Sequence, residues 1–163
     1  EVATIASKLG EKAGLNPNEV FTAGILHNIG ELMIHTLVPD MAKEIVDRVA
    51  AGEEALTVQD DVLATTSAKL GAKLASAWKF SPQLVDAIEY QATPAEADNP
   101  QLATLIHFAS QINRDWDELE DEEAKHSYIA ESPDASTLSV PPECLFTLDE
   151  IRGQGRSIAA QMA

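Results

Sequence analysis

Three times in this sequence a side chain able to cap a helix stands directly before a proline, and an apolar run of helical period follows each time. The pairs are Asn16-Pro17, Ser81-Pro82 and Asn99-Pro100. The capping oxygen satisfies one of the orphan backbone N–H groups of a first helical turn, and proline at the next position gives up an N–H that would have had no partner. A chain punctuated in this way is built from helices. The apolar spacing fills in the rest. Val2, Ile5, Ala6, Leu9 and Ala13 form one stripe, stopped by Gly14. Pro39 ends the segment that follows Ile29 and opens a stretch over Met41–Ala51, closed by Gly52. A weaker helix is expected over Ala55–Leu63, and Thr65 or Thr66 caps another that runs to Trp78. In that helix Leu70, Leu74, Ala75 and Trp78 share a face, with Trp78 as a core anchor and Lys69, Lys73 and Lys79 outside it. Helices over Pro82–Gln91 and Pro100–Arg114 flank a polar loop at Ala92–Asn99. No alternating run long enough for a strand occurs.

Composition narrows the packing. Hydrophobic residues make up 45% of the 163 positions but aromatics only 5%, so the core must be mostly Ala, Leu, Ile and Val, which suits close-packed helices. The expected fold class is all-α, a compact multi-helix bundle. Eleven basic residues against 27 acidic ones give a formal charge of −16, which repels a phosphate backbone and argues against nucleic acid as a partner. The single Cys144 has no partner for an internal disulfide, and there is neither a signal peptide nor an apolar run of about 18 residues, so the expected compartment is the cytoplasm and no membrane is expected.

After Arg114 the character changes. Asp115, Asp117, Glu118, Glu120, Asp121, Glu122 and Glu123 crowd together, without the alternating ligands and glycine turn of a calcium loop, and read as a solvated loop or helix start. Residues 1–114 are therefore expected to form the main domain and 115–163 an acidic segment with a C-terminal helical extension, in which 145–162 regains helical periodicity. Because the sequence opens without an initiator Met and already in helical periodicity, a segment upstream of Glu1, removed or part of a larger protein, is also expected.

Within Phe21–Ile34, which reads F-T-A-G-I-L-H-N-I-G-E-L-M-I, the polar pair His27-Asn28 interrupts an otherwise apolar run. Gly24 allows close approach of a neighbour and Gly30 is expected to bend the chain. The words G-I-L-H-N-I-G-E-L resemble the His-Asp signature of the HD superfamily, G-L-L-H-D-I-G-K, and are closest to its HDOD branch. Phe21 matches a phenylalanine of that branch. Residues 67–78, S-A-K-L-G-A-K-L-A-S-A-W, resemble its H-A-x-V-G-A-x-L-A-x-x-W. Leu84, Ala87, Ile88, Gln91, Ala92 and Pro94 fall into its L-x-x-A-I-x-x-H-H-x-P, and Ile106–Ser110 into its V-H-L-A-D.

The resemblance implies a bacterial all-helical signalling module. It also implies a ligand set for divalent cations in HD hydrolases, where His and Asp side chains hold metals that polarise a phosphoryl oxygen and generate hydroxide. Carried over, that set falls on His27, Asn28, Ser67, Gln91, Ala92 and Ser110, and only His27 keeps a ligand-type side chain. These are vestigial metal-site positions, and no catalytic residue, metal or cofactor is expected. His27 reads as a hydrogen-bonded core histidine with Asn28 or Glu31 as partner; His35 and His107 read the same way, His126 as exposed and Trp116 as docking or packing. The expected function is non-enzymatic regulation through protein contact. The partners implied are signalling proteins, among them receiver and cyclic-di-GMP turnover domains, fused or separate. The rival reading is a metal-dependent phosphohydrolase or phosphodiesterase with a divergent ligand set using Glu31, Asp60 or Asp61. Self-association into a homo-oligomer is a third.

Overall fold

A computed structural model describes residues 1–144 and 146–152. Ten α-helices are named here: α1 (Val2–Ala13), α2 (Pro17–Leu26), α3 (Ile29–Leu37), α4 (Pro39–Ala50), α5 (Ala55–Leu63), α6 (Ser67–Ala77), α7 (Pro82–Glu89), α8 (Pro100–Asp115), α9 (Glu122–Ala130) and α10 (Pro133–Thr137). Short 3₁₀ turns cover Pro94–Glu96, Trp116–Glu118 and Pro142–Cys144. Residues 146–152 are helical; Leu145 and the stretch of the expected C-terminal helix beyond Arg152 lie outside the described residues. No strand occurs among the described residues, and none of their helices is long and apolar enough to cross a membrane.

The cap–proline pairs open α2, α7 and α8, two of them by the expected bond. Asn16 accepts from the Asn18 amide at 3.0 Å, and Ser81 accepts from the Leu84 amide at 3.3 Å. Asn99 works differently: its side chain makes no capping bond, and the Asp86 carboxylate instead accepts from the backbone amides of Asp98 and Asn99. Helix α8 thus begins anchored to α7.

Helix α8 is the centre of the molecule. Leu102, Ala103, Thr104, Leu105, Ile106, Phe108, Ala109 and Ile112 are all buried, so the helix is covered on almost every side. Helices α1, α2, α7 and α10 pack around it. A second, smaller cluster of Ile34, Ala42, Ile45 and Val58 lies under α3, α4 and α5. The main core runs across the sequence boundary at residue 114: Trp116, Ile129, Ala135, Leu138, Val140, Cys144 and Leu148 belong to the same cluster as Ile5 and Phe108. Arg152, only 6% exposed, fastens that later segment by bonding Asn113, the Asp117 carboxylate at 2.9 Å and Glu1 at 3.7 Å. The acidic run is a solvated helix start, with Asp121 capping α9 through the Ala124 amide at 2.8 Å and Glu122 and Glu123 exposed.

Two glycines set how closely the helices approach. A Cβ built on Gly24 would fall 2.5 Å from the Ala3 backbone, and one on Gly30 would fall 1.8 Å from the Ser67 carbonyl oxygen. Gly24 thereby lets α1 and α2 touch, as expected. Gly30 is not the bend; it is where α3 lies against α6. That contact moves the buried face of α6 to Gly71, Ala72 and Ala75. Trp78 is displaced to the surface, 54% exposed, and meets Phe80 edge-on instead of anchoring the core.

Candidate functional site

His27 and Asn28 do not lie inside a helix. They form the turn between α2 and α3, with Asn28 at φ −107° and ψ 14°. His27 Nδ1 donates to the Gly24 carbonyl at 2.7 Å, so the partner is a backbone oxygen three residues back and not Asn28 or Glu31. This bond fixes the tautomer, leaving Nε2 as the acceptor nitrogen. Burial pushes the pKa of the ring below its ordinary value, against the smaller opposing effects of the Gly24 carbonyl and Glu31, and the imidazole is neutral at pH 7.

The turn is held from the other side of the domain. Gln91, just past α7, donates its side-chain amide to the His27 carbonyl at 2.6 Å and to the Ile88 carbonyl at 3.0 Å. Ser67 opens α6; its amide is taken by the Gln59 side chain at 2.8 Å and its carbonyl meets Gly30. The structure therefore links positions 27 and 91 directly and sets Ser67 against α3, two residues beyond Asn28. Ala92 offers only a methyl group. Ser110 sits on α8 with its hydroxyl buried and without a hydrogen-bond partner among the described residues.

The remaining candidates lie elsewhere. Glu31 and His35 are exposed on α3, so His35 is not a core histidine. Asp61 pairs with Arg48 at 2.6 Å, within a group that includes Glu53. His107 Nδ1 meets Asp134 at 2.7 Å and ties α8 to α10, and His126 is exposed. Trp116 is buried, with its indole N–H donating to Asp149 at 2.8 Å, which makes it a packing residue. Among the described residues no three His, Cys, Asp or Glu side chains lie close enough together to hold a metal ion.

An open cleft of about 430 Å³ takes in one of the six marked positions, Ala92. Its walls are α5, the start of α6 and the segment from Glu89 to Glu96, and Ala92 lines it. Sequence reasoning placed Asp60 and Ala92 in different contexts, and neither apolar period nor motif spacing signals that they face one space.

The family model for the HDOD domain matches residues 1–94. The chain belongs to the HDOD domain family. Among solved structures it is similar to a protein from Shewanella amazonensis SB2B named "putative phosphohydrolase", with 35% sequence identity and a TM-score of 0.87. That match covers 99% of this chain and 61% of the other, so the chain spans about three-fifths of that protein's length. No curated protein matches the chain. The HDOD assignment over residues 1–94 and the TM-score agree with the all-helical architecture of the described residues.

Proposed function

We propose that this HDOD chain is a non-enzymatic regulatory module in signal transduction, acting through protein contact around a dismantled metal site. The observation that carries the reading is Gln91. At a position where the resemblance puts a histidine ligand, its amide N–H groups bond to the backbone carbonyls of His27 and Ile88. With its N–H groups so engaged, Gln91 keeps only a neutral amide oxygen, a weaker donor to a divalent transition metal than the imidazole it replaces.

The other donors point the same way. A divalent cation of the HD type needs several imidazole and carboxylate groups converging. His27 offers one acceptor nitrogen; Asn28 lacks the anionic charge of aspartate, Ala92 has no donor atom, and Ser67 and Ser110 carry neutral hydroxyls. The residues present do not fit the metal. What the scaffold retains is a set of closely packed helices, suited to presenting a surface.

The name of the Shewanella protein favours a second reading, a metal-dependent phosphohydrolase with ligands drawn from Glu31, Asp60 and Asp61. The two separate in one measurement. Elemental analysis of the purified chain is expected to find less than about a tenth of an equivalent of transition metal. No hydrolysis of nucleotides or generic phosphodiesters is expected with added Mn²⁺. Stoichiometric iron or manganese together with hydrolysis would overturn the regulatory reading.

A further inference from the structure

We infer that the cleft beside Ala92 is a binding site for a basic side chain, an arginine or lysine on an exposed segment of a partner protein. This rests on the proposed action through protein contact and specifies where that contact is made. The cleft, at about 430 Å³, lies within the range of sites that enclose a ligand group. Its lining suits a long side chain: Leu56, Ala68 and Ala92 provide apolar or small wall positions for a methylene stem, and Tyr90 adds an aromatic ring.

The charge lining the cleft is the second observation. Asp60, Glu89 and Glu96 face it together with a single cation, Lys69. None of the three carboxylates forms an ion pair or side-chain hydrogen bond among the described residues, whereas Asp61, next in sequence to Asp60, is occupied by Arg48. Nor does Lys69 contact any of them as an ion pair. The Tyr90 phenol reports the resulting field: its pKa is raised, first by Glu89, then by burial and by Asp86, Asp98 and Glu96. A cleft serving a phosphorylated substrate gathers positive charge. This one carries the opposite sign, so it repels a nucleotide and attracts a guanidinium or ammonium group. Of the six positions that the resemblance marks, Ala92 lines the cleft.

The test uses ¹⁵N-labelled chain titrated with a glycine–serine peptide carrying one central arginine, and with the same peptide carrying neutral citrulline. The arginine peptide is expected to shift amides of α5, the start of α6 and residues 89–96, and the citrulline peptide to shift none. Two charge-matched triple variants then separate a built site from the general acidity of the protein. Asp60→Asn with Glu89→Gln and Glu96→Gln is expected to weaken binding by about tenfold or more, while Glu120→Gln with Glu122→Gln and Glu123→Gln leaves it within about twofold. Ala92→Leu, which fills the cleft without altering charge, is expected to weaken it as well. Equal losses in the two triple variants, shifts centred on residues 115–123, or no shifts at millimolar peptide would each overturn the inference. Such a failure in a metal-free, inactive chain leaves the regulatory reading standing; metal with hydrolysis removes that reading whatever the peptide does.

Discussion

The side-chain amide of Gln91 donates a 2.6 Å hydrogen bond to the backbone carbonyl of His27, joining two positions 64 residues apart. A second bond, to Ile88 at 3.0 Å, holds the same amide against the end of α7. The α2–α3 turn and α7 are thereby linked by protein atoms alone. Gln91→Ala removes both bonds and leaves the partly buried turn carbonyl without this donor, so it is expected to cost about 1–2 kcal/mol. For a chain of this length that lowers Tm by about 2–8 °C, checked by thermal unfolding monitored by circular dichroism. A variant as stable as the parent would show that the staple contributes nothing.

Gly30 makes the most demanding helix contact. A methyl group there would sit 1.8 Å from the Ser67 carbonyl oxygen and 2.7 Å from its carbon, both backbone atoms that cannot move aside independently. Gly30→Ala is therefore expected to force α3 away from α6 and to destabilise the fold by about 3 kcal/mol. Gly14→Ala is the comparison. It has nothing within 4 Å but a φ of +69°, so only the backbone conformation opposes a side chain, at about 1 kcal/mol. Urea unfolding of the two variants is expected to rank them in that order.

These contacts mark how far the sequence could be read. Local chemistry was legible: α1 closes at Gly14 in the left-handed region, Thr66 caps α6 through the Lys69 amide, and the proline pairs open their helices. Each depends on atoms within a few residues. What was not legible depends on partners distant in sequence. The bond between Gln91 and His27 could not be inferred from spacing, and the break at Asn28 carries no local signal because its flanks are apolar on both sides. The burial of α6 through Gly71, Ala72 and Ala75 follows from Gly30 on another helix, so periodicity within α6 placed Trp78 on the wrong side. The ligand-type losses at 67, 91, 92 and 110 were visible as residue identities, while the cleft lined by Ala92 became visible only in three dimensions.

His27 gives the fold a defined response to acid. Its pKa in the folded chain lies below the ordinary imidazole value of 6.5, chiefly because burial disfavours the imidazolium. Below about pH 6.5 the unfolded chain therefore takes up a proton that the folded chain does not, and stability falls as pH drops until the folded pKa is passed. Above that window the residue contributes no pH dependence. Tm measured between pH 7.5 and 5.5 is expected to decline, and His27→Gln to flatten the decline. The carboxylates held low by partners, Glu53 by Arg48 and Asp115 by Arg114, begin from ordinary values of 4.5 and 3.8, so their loss belongs to more acid conditions. An unchanged slope in His27→Gln would assign the response to another group.

The two tryptophans sit in opposite environments and report on different parts of the chain. Trp116 is 2% exposed, bonded to Asp149, 5.4 Å below the Lys125 ammonium and edge-on to Tyr128. Trp78 is 54% exposed at the end of α6. Acrylamide is therefore expected to quench two populations, and Trp78→Phe to remove the accessible one with little change in stability. Trp116→Phe should leave the accessible emission, lose the bond to Asp149 and destabilise by about 2 kcal/mol, because the smaller ring leaves space in the main core. Since Asp149 also accepts from Lys125 at 2.6 Å, the same substitution loosens the hold on residues 146–152. Faster amide exchange in that segment than in α8 would show that Trp116 joins it to the body; uniform exchange across both would place its contribution in the core alone.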